Sequence, residues 1–250
     1  MLMQSPRSGF PIVAAPLSAA EPVLPASAFT TGSTIDLNIS QLLCARLCHD
    51  LIGPAAAINA GGELMLDGEE GAEAGSDVRD LIVESGRQLA GRLTFFRMAF
   101  GAVGARTQAI SCREVHGLAA GFLRGSRIRL DWRPGDAADD EASLPADAAR
   151  VLLGLVMLGA EALARGGGIR VAVGVEAGQT NLSVTASGPA PRLSDEVVAA
   201  LRATEAQSVT ARTVHAFYFS RLAERLRACV TIECAGADSL ALDAHVPHPA

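Results

Sequence analysis

Apolar residues in the first third of the chain fall on helical spacings. Leu43, Leu47, Leu51, Ile58 and Met65 recur four or seven residues apart, the period of a helix with one buried stripe. The stretch predicts a helix over about 36–66. Val78, Ile82, Ser85, Leu89, Leu93, Phe96 and Phe100 then follow in a heptad seam, which predicts a second helix. Residues 67–75 between them are acidic and glycine-rich, the composition of a solvated hairpin tip. Ser76 and Asp77 stand where they would cap the second helix. Two antiparallel helices of this length do not bury such stripes alone. The pattern therefore points to pairing with a second copy, as a dimeric four-helix bundle.

Beyond the hairpin the pattern changes. Residues 101–111 read as a linker. A helix over 113–123 precedes strand-like alternation over 126–133, and a strongly apolar helix over 146–164 stops at Gly166-Gly167-Gly168. Residues 169–176 and 181–186 read as a β-hairpin, followed by helices over 194–202 and 209–228 and strands over 229–234 and 239–246. The order is that of an α+β sandwich. The first 35 residues are rich in Pro, Ala, Ser and Thr, and their best apolar run is broken by Pro11 and Pro16. They read as a disordered tail. Three regions result: a tail at 1–35, a helical hairpin at 36–104 and a sandwich at 108–250.

Hydrophobic residues make up 49% of the 250 but aromatics only 4%, so the core is aliphatic and alanine-rich. The net charge of −6 argues against a nucleic-acid surface, which needs clustered excess base. All 21 basic residues are arginine, which excludes Schiff-base, catalytic-lysine and P-loop-lysine chemistry. Five cysteines without a CxxC pair fit reduced thiols and a cytoplasmic setting. Cys44 and Cys48 adjoin His49, but adjacent helix positions diverge by about 100°, so Cys48 and His49 do not converge on one metal ion. No apolar run reaches transmembrane length, and no membrane partner is expected.

The segment carrying chemistry is His49-Asp50-Leu51-Ile52-Gly53-Pro54. His49 lies two residues from both Leu47 and Leu51, about 200° around the helix from either, so it faces away from the packing stripe. An outward histidine suits a phosphoryl acceptor better than a core residue. Ala45, Gly53, Ala56 and Ala60 on its face are small and, with Ile52, leave an open platform for a partner. Asp50 reads as a supporting residue, able to hydrogen-bond the histidine ring. Arg46, one turn earlier, is placed to meet an acidic partner surface or the phosphoryl group. Pro54 has no N–H for the Asp50 carbonyl and is expected to kink the helix. His116, His215, His245 and His248 form no recognisable acid–base or metal set.

His49-Asp50-Leu51-x-x-Pro54 on a long hairpin resembles the dimerisation and phosphoacceptor domain of sensor histidine kinases, and the sandwich resembles their Bergerat (GHKL) ATP-binding domain. Ala45-Arg46-Leu47-Cys48-His49-Asp50, Pro54-Ala55 and residues 97–102 are similar to the ChpT-type histidine phosphotransferases of alphaproteobacterial cell-cycle phosphorelays. That resemblance implies a homodimer whose His49 Nε2 accepts a phosphoryl group from a hybrid kinase's receiver domain and passes it to response regulators. It also implies a lost nucleotide site. Gly154 and Leu158 stand where a kinase carries Mg²⁺-binding asparagines, Ala186 and Ala190 replace the aspartate and second glycine of Asp-x-Gly-x-Gly, and residues 206–211 contain no lid glycine. No ATP-binding residues and no bound cofactor are then expected, Mg²⁺ being carried by the receiver. Gly53 takes the place of the Thr, Asn or Gln that positions a water in phosphatase-active kinases, which implies transfer without active dephosphorylation. Arg192, just after the decayed loop, is a further candidate receiver contact. The rival readings are an ATP-dependent histidine kinase and a non-catalytic receiver-binding scaffold.

Overall fold

The computed structural model describes residues 31–67, 72–101, 109–134, 143–176 and 178–248. The first helix, α1 (Thr31–Asp67), begins inside the segment read as a tail, most of which lies outside the described residues. The second helix, α2 (Ala72–Phe100), starts a turn before Ser76 and Asp77, which therefore lie within it instead of capping it. Ala and Glu at 72–74 are strong helix formers and carry the helix back toward the tip. Where the two helices cross, Gly61 lets them close: a Cβ there would stand 2.6 Å from the Ile82 side chain. Leu43, Leu47 and Leu51 pack on the core as the stripe predicts, whereas Met65 and Leu93 stay half exposed in the single chain.

The remaining elements are β1 (Ile110–Ser111), α3 (Cys112–Leu123), β2 (Ile128–Pro134), β3 (Ser143–Leu144), α4 (Ala146–Ala162), β4 (Gly167–Glu176), β5 (Gln179–Ser187), α5 (Asp195–Arg202), α6 (Val214–Arg225), β6 (Cys229–Gly236) and β7 (Ser239–Pro247). A five-stranded sheet runs in the order β2-β4-β5-β7-β6, parallel only between β2 and β4. Strands β4, β5 and β7 alternate buried and open positions, with Ile169, Val171, Leu182, Val184, Leu242 and Ala244 on the buried face. Helix α4 lies on that face and is enclosed on every side, which is why its sequence is apolar all round. The chain is α+β, as its pattern predicts.

Two local departures have physical causes. Strands β1 and β3, two residues each, pair as a small antiparallel ribbon, so the end of the expected linker is ordered. Such short strands have no readable period. Helix α6 begins at Val214, not Val209. The Thr210 N–H donates to Thr213 Oγ1 (3.1 Å), a local bond that competes with helix formation.

One core runs from the hairpin into the sandwich. Phe95 and Phe96 on α2 are buried, and the Phe95 ring stacks on Phe122 of α3 at 4.2 Å. Arg150 of α4, 4% exposed, reaches the end of α2, donating from Nε to the Met98 carbonyl (3.2 Å) and from Nη2 to the Gly101 carbonyl. Its Nη1 lies 3.6 Å from Asp147. Nearby, Gly91 of α2 faces Gly121 of α3, whose Cβ, if present, would stand 3.2 Å from the Gly91 Cα. Of the five cysteines only Cys112 is buried, and that burial pushes its thiol pKa up.

A methyl at Gly91 would run into the Gly121 carbonyl. Gly91→Ala is therefore expected to lower stability by about 1–3 kcal/mol, despite the higher helix propensity of alanine. Urea denaturation measures it, and an unchanged midpoint would contradict the close crossing.

Candidate functional site

His49 stands on α1 with its side chain 83% exposed, as its place opposite the Leu47–Leu51 stripe predicts. Its Nδ1 lies 3.1 Å from Asp50 Oδ1. An ionised carboxylate only accepts, so this contact places the ring hydrogen on Nδ1 and leaves the Nε2 lone pair open. Asp50 is only 19% exposed because its other oxygen, Oδ2, accepts from Arg46 Nε at 2.9 Å. Adjacent helix positions diverge at the backbone, but the Asp50 carboxylate is long enough to bridge the histidine and the preceding turn.

The backbone beneath this pair has its own support. Pro54 is buried inside α1 and cannot donate to the Asp50 carbonyl. Arg92 of α2 donates to it instead, through Nη1. The turn that carries His49 is thus held by a neighbouring helix at the point where its own ladder lacks a donor.

Arg46 faces inward. Besides Asp50, its guanidinium donates from Nη1 to the Arg212 carbonyl (2.7 Å), and the same nitrogen lies 3.4 Å from His215 Nδ1 on α6. His215 is fully buried, and its Nε2 lies 2.6 Å from Glu161 Oε2 at the end of α4, in a bent approach that neither atom completes as a hydrogen bond. Arg46, Asp50 and Glu161 line an open cleft of about 1310 Å³ between α1 and the sandwich, together with His49, Arg192 and Arg212, and His215 is buried behind them.

Ala45, Ile52, Gly53 and Ala56 are all exposed around His49, and a side chain at Gly53 would meet nothing within 4 Å. Arg192 is exposed in the cleft, and its backbone N–H holds the Ala162 carbonyl (3.1 Å). Of the sequence-derived residues, Ala45, Arg46, His49, Asp50 and Arg192 line one opening, whereas Ile52, Gly53 and Ala56 lie outside it. The structure adds Arg92, Glu161 and His215. His215 lies 169 residues from Arg46, and no local signal marked it. Among the other histidines, His116 packs on Trp132, His245 meets Asn181 and His248 meets Thr180. No group of residues suited to a metal ion occurs among the described residues.

The residues compared above with a kinase's nucleotide pocket do not share this cleft: Ala190 lines it, whereas Gly154 and Leu158 line a separate opening. Gly154 and Leu158 are buried in α4, and a Cβ at Gly154 would come within 2.5 Å of the Phe219 ring. The ring fills the place an asparagine side chain would need. Ala186 is buried within the sheet, and Ala190 takes a left-handed φ of 51°. That conformation costs an alanine roughly 1 kcal/mol that a glycine does not incur.

Comparison with known proteins gives a consistent result. The family described as histidine phosphotransferase C-terminal domain matches residues 112–238. Protein phosphotransferase ChpT of Brucella abortus (strain 2308) is 30% identical over 203 residues, which span 81% of this chain and 93% of that protein. The structure described as a 1.7 Ångström structure of a bacterial phosphotransferase aligns with a TM-score of 0.70 at 29% identity, over 83% of this chain and 96% of the other. The chain belongs to the histidine phosphotransferase family.

Replacing Ala190 by glycine removes the left-handed strain. Ala190→Gly is expected to raise stability by up to about 0.6 kcal/mol after the extra unfolded-state entropy of glycine is subtracted. A thermal melt that moves downward would show that Ala190 makes compensating contacts.

Proposed function

We propose that this protein is a phosphorelay phosphotransferase in which His49 Nε2 accepts a phosphoryl group from an aspartyl phosphate on a docked receiver domain and returns it to a second receiver. The supporting observation is the His49–Asp50 pair. It gives an exposed ring whose Nδ1 hydrogen is held by a carboxylate and whose Nε2 points outward.

In the forward step the Nε2 lone pair forms the N–P bond while the P–O bond to the receiver aspartate breaks. Its electron pair leaves on that carboxylate. The hydrogen on Nδ1 stays in place, and the positive charge on the phosphorylated ring lies against Asp50. Nothing else is consumed, so the reverse step passes the group on by the same path. Such transfer depends chiefly on positioning and charge stabilisation. The small exposed residues Ala45, Gly53 and Ala56, together with Ile52, offer the docking platform beside the nitrogen. Arg192 lies across the cleft to meet the acidic receiver. Mg²⁺ belongs to that receiver in this reading, and the chain itself needs no cofactor.

Autophosphorylation from ATP is not part of the proposal. Phe219 against Gly154, Ala186 in place of an aspartate and the absence of glycine from residues 206–211 support that reading. Two copies are proposed to pair through the hairpins as a four-helix bundle, supported by Leu64, Met65, Leu81, Val83 and Leu93, which a single chain leaves exposed. No described helix is long and apolar enough to cross a membrane, and the protein is proposed to work in the cytoplasm among response regulators.

The test presents the protein with Mg-ATP and, in parallel, with a receiver domain phosphorylated by its hybrid kinase. Label is expected to arrive only from the receiver and to vanish in His49→Ala, while that variant keeps its fold. Label from ATP would make the protein a kinase. A His49→Ala protein that still relays would move the acceptor elsewhere, and wild-type protein that binds receivers but never takes label would favour a scaffold. Light scattering is expected to give twice the chain mass, and a charged residue at Leu93 is expected to lower it toward one chain.

A further inference from the structure

His215 is the only fully buried histidine among the described residues, and the transfer chemistry above does not use it. We propose that His215 is a positioning residue for phosphotransfer: through Arg46 it holds the Asp50 carboxylate where that carboxylate fixes the His49 ring. The proposal rests on His49 being the phosphoacceptor.

Arg46 donates in two directions across the interface between α1 and the sandwich, to His215 on one side and to Asp50 on the other. A guanidinium has hydrogens on every nitrogen and no acceptor. The approach of Arg46 Nη1 to His215 Nδ1 at 3.4 Å therefore requires the lone pair on Nδ1 and the ring hydrogen on Nε2. That hydrogen is on the side of Glu161, whose Oε2 is 2.6 Å away. Arg46 in turn donates through Nε to Asp50, and Asp50 accepts from His49 Nδ1. Glu161, His215, Arg46, Asp50 and His49 thus lie in one series of contacts, in which Arg46 sets the tautomer of His215, Asp50 sets that of His49, and Glu161 lies beside His215 without a completed hydrogen bond.

The anchoring matters because Arg46 has a long, flexible side chain whose rotamer freedom is lost when it is held. Asp50 alone, on the same helix one turn away, makes the kind of pair that contributes little on an open helix surface. His215 and the Arg212 carbonyl, both from the sandwich, hold the guanidinium from the opposite side. Without His215, Arg46 keeps one fewer anchor and Asp50 Oδ2 is held less firmly. The His49 hydrogen can then move from Nδ1 to Nε2, the tautomer whose attacking nitrogen has no lone pair. In the productive tautomer Nε2 bonds to phosphorus as the P–O bond to the receiver aspartate breaks onto that carboxylate, and the Nδ1 hydrogen remains facing Asp50. The sandwich is then part of the transfer machinery as well as a wall for docking.

Full-length His215→Leu, His215→Gln and Glu161→Ala proteins are compared with wild type. The rate of phosphoryl transfer from a phosphorylated receiver is measured together with the ¹⁵N chemical shifts of the His49 ring, which report its tautomer. His215→Leu is expected to slow transfer about ten-fold, as loss of an orienting partner does elsewhere, and to shift the His49 signals toward the Nε2–H form. Gln restores most of both, since its amide oxygen accepts from Arg46 while its NH₂ donates to Glu161. Glu161→Ala is expected to fall between them. Wild-type rate and unchanged ¹⁵N shifts in His215→Leu overturn the proposal, and so does a Gln variant as slow as Leu. If circular dichroism shows the Leu variant unfolded, Glu161→Ala decides in the same way. A His49→Ala control that still takes label refutes the acceptor assignment itself, a result distinct from any change at His215.

Discussion

Arg150 is the constraint on which the arrangement of the two halves depends. It is a nearly fully buried cation whose donors go to the last carbonyls of α2, the groups a helix C-terminus leaves without partners. A buried charge removed from such partners is strongly destabilising, so the end of α2 and the start of α4 are held as one unit. The phenylalanine cluster around Phe95 and Phe122 and the Gly91–Gly121 crossing surround that joint with tight apolar packing. With the joint fixed, α6 lies against α1, and Arg46 meets Arg212 and His215. The cleft beside His49 follows from that packing.

The turn that carries His49 is held from outside at the place where helix chemistry weakens it. Pro54 deprives the Asp50 carbonyl of its usual donor, and Arg92 supplies another. The Asp50 side chain sits between Arg46 and His49, half shielded, where its charge is screened less than at an open surface. The His49 ring stands open to solvent with its near nitrogen, Nδ1, engaged by Asp50. This suits a residue proposed to exchange phosphoryl groups with docked partners. A closed pocket would exclude the docked receiver of that proposal.

The sandwich is packed tightly at the positions that the sequence compares with a nucleotide pocket. Phe219 lies over Gly154, and Ala190 keeps a left-handed backbone that a glycine adopts without cost. Its buried face, α4 and the joint to the hairpin remain tightly packed. In the proposed reading its surviving role is geometric: it supplies Glu161, His215 and the Arg212 carbonyl behind the acceptor helix, and Arg192 across the cleft.

The sequence by itself determined the hairpin, the α+β order and the exposure of His49. Those features rest on local periodicity: Leu47 and Leu51 turn His49 outward, alternation marks β4, β5 and β7, and an apolar run marks α4. It also placed Asp50 and the small residues of the platform, which are neighbours in the chain. Boundaries set by side chain to backbone bonds were less legible, as at Thr210–Thr213, and the two-residue strands β1 and β3 carried no period at all. Only the tertiary structure decided what Arg46 touches. Its residue type and place on the helix suited a partner's acidic surface, yet its donors go to Asp50, the Arg212 carbonyl and His215. Arg92, Glu161 and His215 were illegible for the same reason. They come from three other helices, and their roles arise only where packing brings those helices against α1.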